Sequence, residues 1–234
     1  MTDIFSYLKD RPYPGRGILL GAMPDGTSAI AYFIMGRSEN SRNRVFEPTD
    51  DGIRTRAADE SKMTDPSLII YHPVRRVALE RGMTTVVTNG DQTDTVREAL
   101  LRGETWIDAL RTRAFEPDAP NWTPRVSGVL FPDGSYSLSI LKARDGEPDC
   151  CQRFYYTYDA AVAGVGHFIS TYEGFGSPLP SFCGEPVSTE LPQMSAGALS
   201  EALWDALDAD NRVSLYVRVG AEETIVNRFT RKAE

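Results

Sequence analysis

The chain has 234 residues, 41% of them hydrophobic, with 33 acidic against 25 basic side chains and a net charge of −8. A chain of this length buries roughly 70% of its unfolded surface, so one large core or two packed sheets is expected within a single domain spanning 1–234. The acidic balance argues against a nucleic-acid binder, which needs a basic face. It leaves room for a small anionic ligand, because salt screens net repulsion beyond about 8 Å while an arginine acts in contact.

The three cysteines, Cys150, Cys151 and Cys183, make neither a disulfide framework nor paired CxxC motifs, which fits a reducing compartment. His72 and His167 are the only histidines, so a multi-histidine metal site is excluded. The first residues lack a basic segment followed by an apolar one, and no apolar run approaches the roughly 20 residues of a membrane span. A soluble cytoplasmic chain is expected. The 21 arginines against 4 lysines are most simply codon usage.

In chain order, two apolar runs between Gly17 and Met35 flank Pro24-Asp25-Gly26, turn chemistry for a hairpin whose second strand is Ala29 to Met35. Residues 50–65 are polar and read as a surface excursion before a strand at 67–71. Thr84 to Thr88 is β-branched and strand-like. Thr93 to Phe115 reads as a helix with Val96, Leu100, Ile107 and Leu110 near one face, a weak point at Gly103, and Asp91 or Thr93 as its cap. A second hairpin, Val126 to Phe131 and Tyr136 to Leu141, turns at Pro132-Asp133-Gly134. Strands follow at Arg153 to Tyr158 and Val165 to Tyr172. The Pro- and Gly-rich stretch 174–192 reads as a long loop or lid. Ala198 to Leu207 is a short helix, and Val213 to Val219 and Thr224 to Phe229 are closing strands. Hairpins with helices between them indicate an α+β sandwich.

Three segments carry chemistry. Gly36-Arg37-Ser38-Glu39-Asn40-Ser41-Arg42-Asn43-Arg44 places three arginines just past a strand end. There they either grip a phosphate in bidentate fashion or form a solvated loop in which Glu39 pairs with one of them. In Val87-Thr88-Asn89-Gly90-Asp91-Gln92-Thr93-Asp94-Thr95 a strand runs through a glycine turn into a helix. One capping residue would suffice there, and the surplus of short polar groups suits a phosphate or polar heterocycle. Thr123-Pro124-Arg125 starts a strand and projects Arg125 to one face. Tyr71, at an expected strand end, is either a core tyrosine or a hydrogen-bond donor facing the same cavity. No P-loop, GxSxG or HExxH pattern occurs.

The ordered set Gly36-Arg37-Ser38 with Asn43-Arg44, then Ile70-Tyr71, then Val87 to Gly90 with Thr93-Asp94-Thr95, then Thr123-Pro124-Arg125-Val126, resembles the archaeal-type IMP cyclohydrolase family over about the first 130 residues. The resemblance implies a four-layered αββα sandwich like that of N-terminal-nucleophile hydrolases. It also implies closure of 5-formamidoimidazole-4-carboxamide ribotide to inosine monophosphate (IMP) with loss of water, without a metal or redox cofactor, in a homo-oligomer. Under it, Tyr71 and Arg37 stand near the formyl group as catalytic residues. Arg44, Ser38, Asn43, Asn89, Gly90, Thr93, Asp94, Thr95, Asn121, Thr123 and Arg125 bind the purine ribonucleoside monophosphate. The family pattern has an acidic residue close before the Thr-Pro-Arg triplet, where this chain reads Pro120-Asn121-Trp122; Asp118 or Glu116 is the substitute, or Asn121 supplies only a hydrogen bond. In the second half, residues 170–173 are the one segment placed near the site. The alternatives are a nucleotide-binding relative without cyclisation and an amide hydrolase using Thr2 after removal of Met1.

Overall fold

The computed structural model describes residues 1–63, 66, 68–177 and 179–230. The Pro-Asp-Gly turn works as expected. Strands β2 (Arg16–Ala22) and β3 (Ser28–Met35) pair antiparallel across it, with Gly26 at a φ of +85° and the Asp25 carboxylate accepting the Thr27 N–H. Both strands are apolar almost throughout because both faces are covered. Ile18, Leu20, Ile30, Tyr32 and Ile34 point to a second sheet, whereas Leu19, Ala29, Ala31, Phe33 and Met35 point to helices.

Around this hairpin the first sheet takes the order β1-β12-β11-β2-β3-β13-β14, adding β1 (Thr2–Asp3), β11 (Val165–Ser170), β12 (Val187–Glu190), β13 (Arg212–Val219) and β14 (Glu222–Asn227). All pairs are antiparallel except β1 with β12. Helices α1 (Ile4–Lys9), capped by Asp3, and α5 (Ala196–Ala206), capped by Ser195, cover its outer face through Ile4, Leu8, Leu199, Leu203 and Trp204. A four-residue helix, α2 (Glu39–Arg42), follows β3.

The second sheet has the order β10-β9-β8-β7-β6-β5-β4, formed by β4 (Arg44–Thr49), β5 (Gly52–Ala57), β6 (Val74–Leu79), β7 (Gly82–Thr88), β8 (Arg125–Leu130), β9 (Tyr136–Arg144) and β10 (Glu147–Tyr158). Phe46, Ile53, Val74, Val87, Val126, Leu138 and Ile140 fill the space between the sheets. Helices α3 (Gln92–Leu101) and α4 (Trp106–Arg111) lie on its outer face over Val77, Val86, Val129 and Leu141. The order is therefore helices, sheet, sheet, helices. The Asn227 amide ties the sheets at one side, accepting the Phe46 N–H at 2.7 Å and donating to its carbonyl at 3.0 Å.

Several expectations from sequence are corrected. The excursion at 50–65 contains strand β5, whose Ile53, Thr55 and Ala57 face inward while Arg54 and Arg56 face water; residues 64 and 65 lie outside the described residues. The strand expected at 67–71 is a turn in which the Ile69 and Ile70 N–H groups both reach the Pro66 carbonyl, and Ser67 is not described. The helix Thr93–Phe115 is two helices. Gly103 takes a φ of +77° and breaks it, and Thr105 caps the second piece through the Asp108 N–H. Neither Asp91 nor Thr93 caps the first through its side chain, although Asp91 holds the N-cap position. The 174–192 stretch carries strand β12 and is tied down by Tyr13 N–H to the Gly174 carbonyl, Phe182 N–H to the Thr171 carbonyl, and Lys142 Nζ to the Phe182 carbonyl.

Gly17 sits beneath the stacked rings of Phe33 and Phe168, whose centroids are 5.9 Å apart. A Cβ there would lie 2.4 Å from Phe33 Cζ and 2.6 Å from Phe168 Cε2. Such overpacking costs about 1–3 kcal/mol. Gly17→Ala is therefore expected to lower Tm by several degrees in a chain of this size; an unchanged Tm in a calorimetric scan would show that the aromatic pair yields freely.

Candidate active site

Antiparallel pairing brings one end of both sheets together. It collects the start of β2, the end of β3, the start of β4, the end of β7, the start of β8 and the end of β11, with the loops that follow or precede them. At this end the Arg16 Nη2 donates to Glu116 Oε1 at 2.5 Å. The pair spans the sheets, since Arg16 opens β2 and Glu116 leads into β8. Both side chains are nearly buried, at 11% and 4% exposure. Burial pushes the Glu116 carboxyl above its ordinary value, against the pull of Arg16 and Arg125. The Arg16 Nε–H has no hydrogen-bond partner among the described residues.

Glu116, Tyr71, Gly90, Asp91, Arg125 and Leu68 line a narrow cleft in which the side chains, as they stand, leave no room for a water molecule. Tyr71 is held by its backbone, with its N–H on Thr55 Oγ1 at 2.8 Å and its carbonyl accepting from the Thr55 N–H at 2.8 Å. Its phenol meets the Tyr32 hydroxyl at 2.8 Å. Arg125 lies along the opposite wall, donating from Nη1 to Gln92 Oε1 at 2.6 Å and pairing with Asp91 at 2.8 Å. Burial works against the Arg125 charge, offset by Glu116 and Asp91. At Gly90 a Cβ would sit 2.4 Å from Arg125 Nη1 and 2.7 Å from Gln92 Oε1, so a side chain there has to displace these two side-chain ends. Asp91 stays below the ordinary carboxylate range because Arg125 and Arg113 outweigh its burial.

Asn89 is fully occupied as a strut. It donates to the Pro124 carbonyl at 2.9 Å and accepts from the Val126 N–H at 2.8 Å and Gln92 Nε2 at 3.0 Å, which sets β8 against the glycine turn. Its Nδ2 also lies 3.5 Å from Glu116. Thr123 is buried, bonded to Asp118 Oδ2 at 2.5 Å and to the Tyr172 hydroxyl at 2.7 Å. Tyr172 comes from the 170–173 segment, which packs on Thr123 at this end of the sheets.

The other expected binding residues lie outside the lining of this cleft. Thr93 is fully buried against Thr88, with hydroxyls 2.6 Å apart. Asp94 pairs with Arg75 at 2.7 Å, with His72 3.8 Å away, and Thr95 is partly exposed on the following position of α3. Ser38 caps α2 in a reciprocal box with Ser41. Asn43 clamps Asp59 through its N–H at 2.8 Å and carbonyl at 2.7 Å. Asn121 is exposed in the turn that Asp118 closes.

The three arginines of the 36–44 loop separate cleanly. Arg44 is 2% exposed, and its guanidinium donates to the Ser41 carbonyl at 2.8 Å and the Met35 carbonyl at 3.3 Å. Among the described residues no carboxylate pairs with it. Arg42 braces the loop through the Gly36 carbonyl and Asn211. Arg37 is exposed and lies over the Tyr13 ring at 4.7 Å, a ring stacked in turn on Tyr172, so it borders the site from the solvent side and does not line the pocket. Sequence reasoning missed Arg16 and Tyr32. Both sit in strands whose neighbours are apolar, and the only local signal was a charge or hydroxyl placed where the pattern demands burial.

Two mostly antiparallel sheets with outer helices, and a buried tyrosine, carboxylate and arginines converging at one end, define an α+β sandwich with a polar cluster at one end of its sheets. Residues 13–224 match the model of the IMP cyclohydrolase-like protein family, and the chain belongs to that family. It is similar to the IMP cyclohydrolase of Halobacterium salinarum, 31% identical over 135 residues that make up 56% of this chain and 63% of the relative. It is also similar to the IMP cyclohydrolase of Methanopyrus kandleri, 29% identical over 149 residues, 58% of this chain and 71% of the relative. The chain thus spans somewhat under two thirds of the Halobacterium relative.

The folded chain holds the Glu116 proton more tightly than the unfolded chain does. This carboxyl therefore favours folding below its ordinary value and withdraws that contribution as pH rises through its raised value. In urea denaturation from about pH 4 to about pH 8, wild type should lose stability relative to Glu116→Gln as pH rises. A constant difference over that range would place Glu116 at an ordinary value.

Proposed function

We propose that the chain closes 5-formamidoimidazole-4-carboxamide ribotide to IMP with loss of water. The observation that carries this reading is the buried pocket in which Tyr71 faces Glu116, with Arg16 and Arg125 beside it. Membership of the family and likeness to relatives named IMP cyclohydrolase support it.

The reaction needs the carboxamide nitrogen to attack the formyl carbon, one proton to leave that nitrogen and one to leave the formamido nitrogen, and the formyl oxygen to depart with two protons as water. In this reading Glu116, its basicity raised by burial, takes the proton from nitrogen. Tyr71 donates to the formyl oxygen, and Arg16 stabilises charge developing there. Glu116 supplies the carboxylate that Asn121 cannot, and Asp118 is spent on Thr123. Arg125, with Gly90, forms the wall against which the heterocycle lies. Arg44, buried without a carboxylate partner, is the internal anion-binding cation, while Arg37 on Tyr13 guards the outer mouth. The remaining residues of the glycine turn, Asn89, Thr93, Asp94 and Thr95, position this wall.

The layer order supports a kinship with N-terminal-nucleophile hydrolases. Thr2 nevertheless does not suit nucleophile chemistry at this pocket, because it lies on edge strand β1, separated from β2 by β12 and β11. That is about 14 Å at ordinary strand spacing. The reading carries a cytoplasmic setting and a homo-oligomer, which light scattering measures; among the described residues no helix is long and apolar enough to cross a membrane.

Incubating purified protein with the formamido ribotide should yield IMP, and Tyr71→Phe should lower kcat by roughly 10²–10⁴-fold with IMP affinity little changed. Glu116→Gln should cause a comparable loss. Absence of IMP at high enzyme concentration, with IMP still bound in calorimetry, would replace this reading by a nucleotide-binding relative without cyclisation.

Among the loop arginines, Arg44→Ala should weaken IMP binding in chelator most, since a charge-assisted bond contributes about 1.5–3 kcal/mol, more than an exposed stacking cation. Arg42→Ala should act through the loop's stability. Equal losses of affinity for Arg37→Ala, Arg42→Ala and Arg44→Ala, with equal Tm, would remove Arg44 from the binding role.

A further inference from the structure

Tyr32 comes from the centre of β3 and projects between the sheets, where it is fully buried and stacked on Phe46 at 5.7 Å. Its hydroxyl meets the Tyr71 hydroxyl at 2.8 Å. Two phenols at that distance share one hydrogen bond, and geometry alone leaves its direction open. The surroundings decide it. Tyr71 lines the pocket, whereas the Tyr32 hydroxyl lies inside the fold. If Tyr32 accepted, the Tyr71 proton would be spent inward and the pocket would meet a bare oxygen.

We propose that Tyr32 is a positioning residue: it donates its proton to the Tyr71 oxygen, so that the Tyr71 proton is directed into the pocket and negative charge gathering on that oxygen is met by a fixed donor. Burial, with the neighbouring Tyr71, drives Tyr32 well above the ordinary tyrosine value, so it remains a donor throughout the working pH range. The Arg16 and Arg44 charges pull the Tyr32 phenol the other way, more weakly than burial pushes it. The backbone clamp of Tyr71 on Thr55 holds the ring for this contact. The chemistry of the inference rests on the cyclisation reading; the hydrogen bond does not.

The test uses the full chain and Tyr32→Phe, which keeps the ring and removes only the hydroxyl. Loss of a donor to an oxygen that gains charge in the transition state should lower kcat about 10- to 100-fold. KM and IMP affinity should stay unchanged, a split that a general loosening of the core does not produce. Adding Tyr32→Phe to Tyr71→Phe should cost little more, because the two hydroxyls act through one path. Independently of turnover, NMR of protein carrying tyrosine isotope-labelled at Cζ should show the Tyr71 resonance, identified by its loss in Tyr71→Phe, displaced in Tyr32→Phe. Unchanged kcat in an active enzyme overturns the proposal. An unmoved Tyr71 resonance overturns it whether or not the protein cyclises the ribotide. No turnover by wild type, with the resonance displaced as expected, rejects the cyclisation reading and leaves the hydrogen bond standing.

Discussion

The ion pair between Arg16 and Glu116 joins the two sheets at the end where the loops gather, and it sets the terms for everything around it. Charges this deep stand only when paired and further hydrogen-bonded, and removal of one partner costs about 3–5 kcal/mol. The chain meets that demand by fixing both approaches. Arg16 enters β2 with its N–H on Thr171 at 3.2 Å, while the Glu116 N–H bonds the Thr123 carbonyl at 2.8 Å. From Thr123 the lattice of bonds runs to Asp118 and Tyr172, and from Pro124 to Asn89 and Gln92. The Glu116 carboxylate is thus also a structural bolt between the sheets, and its raised proton affinity follows from its burial.

Much of the fold was legible because its punctuation is local. The two Pro-Asp-Gly turns fix their hairpins, and Leu199 and Leu203 mark the buried face of α5. The strands β4 to β6 were harder. In β5 the outward Arg54 and Arg56 make the segment look polar, and only the alternation of Ile53, Thr55 and Ala57 betrays it. Leu68 to Tyr71 misled in the opposite sense, since these apolar residues cover the pocket from a turn. Within the site, the glycine turn and the triplet before β8 announce themselves by composition. The pairing of Arg16 with Glu116 does not, because nothing local specifies which distant carboxylate a strand-opening arginine will meet.

The preponderance of arginine has a structural counterpart as well as a compositional one. Arg42 holds the Gly36 carbonyl, Arg44 those of Ser41 and Met35, Arg153 those of Cys151 and Arg113, and Arg228 that of Asp210. A planar guanidinium can collect two carbonyls or brace a loop from the side, which a single ammonium point charge does with less geometric control. In this chain arginines brace backbone carbonyls as well as neutralising carboxylates, and Arg42 and Arg44 in this way fix the loop after β3.

Arg16 and Glu116 are separated by 100 residues, and bringing such distant positions together costs about 4 kcal/mol in chain entropy by the logarithmic loop-closure relation alone. That outlay is met by contacts between complete sheets, since α2, α3, α4 and the five strands β3 to β7 intervene. Assembly of the pocket is therefore a late event in the life of the polypeptide. Hairpins and helices can form while synthesis or refolding is under way, but Glu116 reaches Arg16 only when the long-range closure is made.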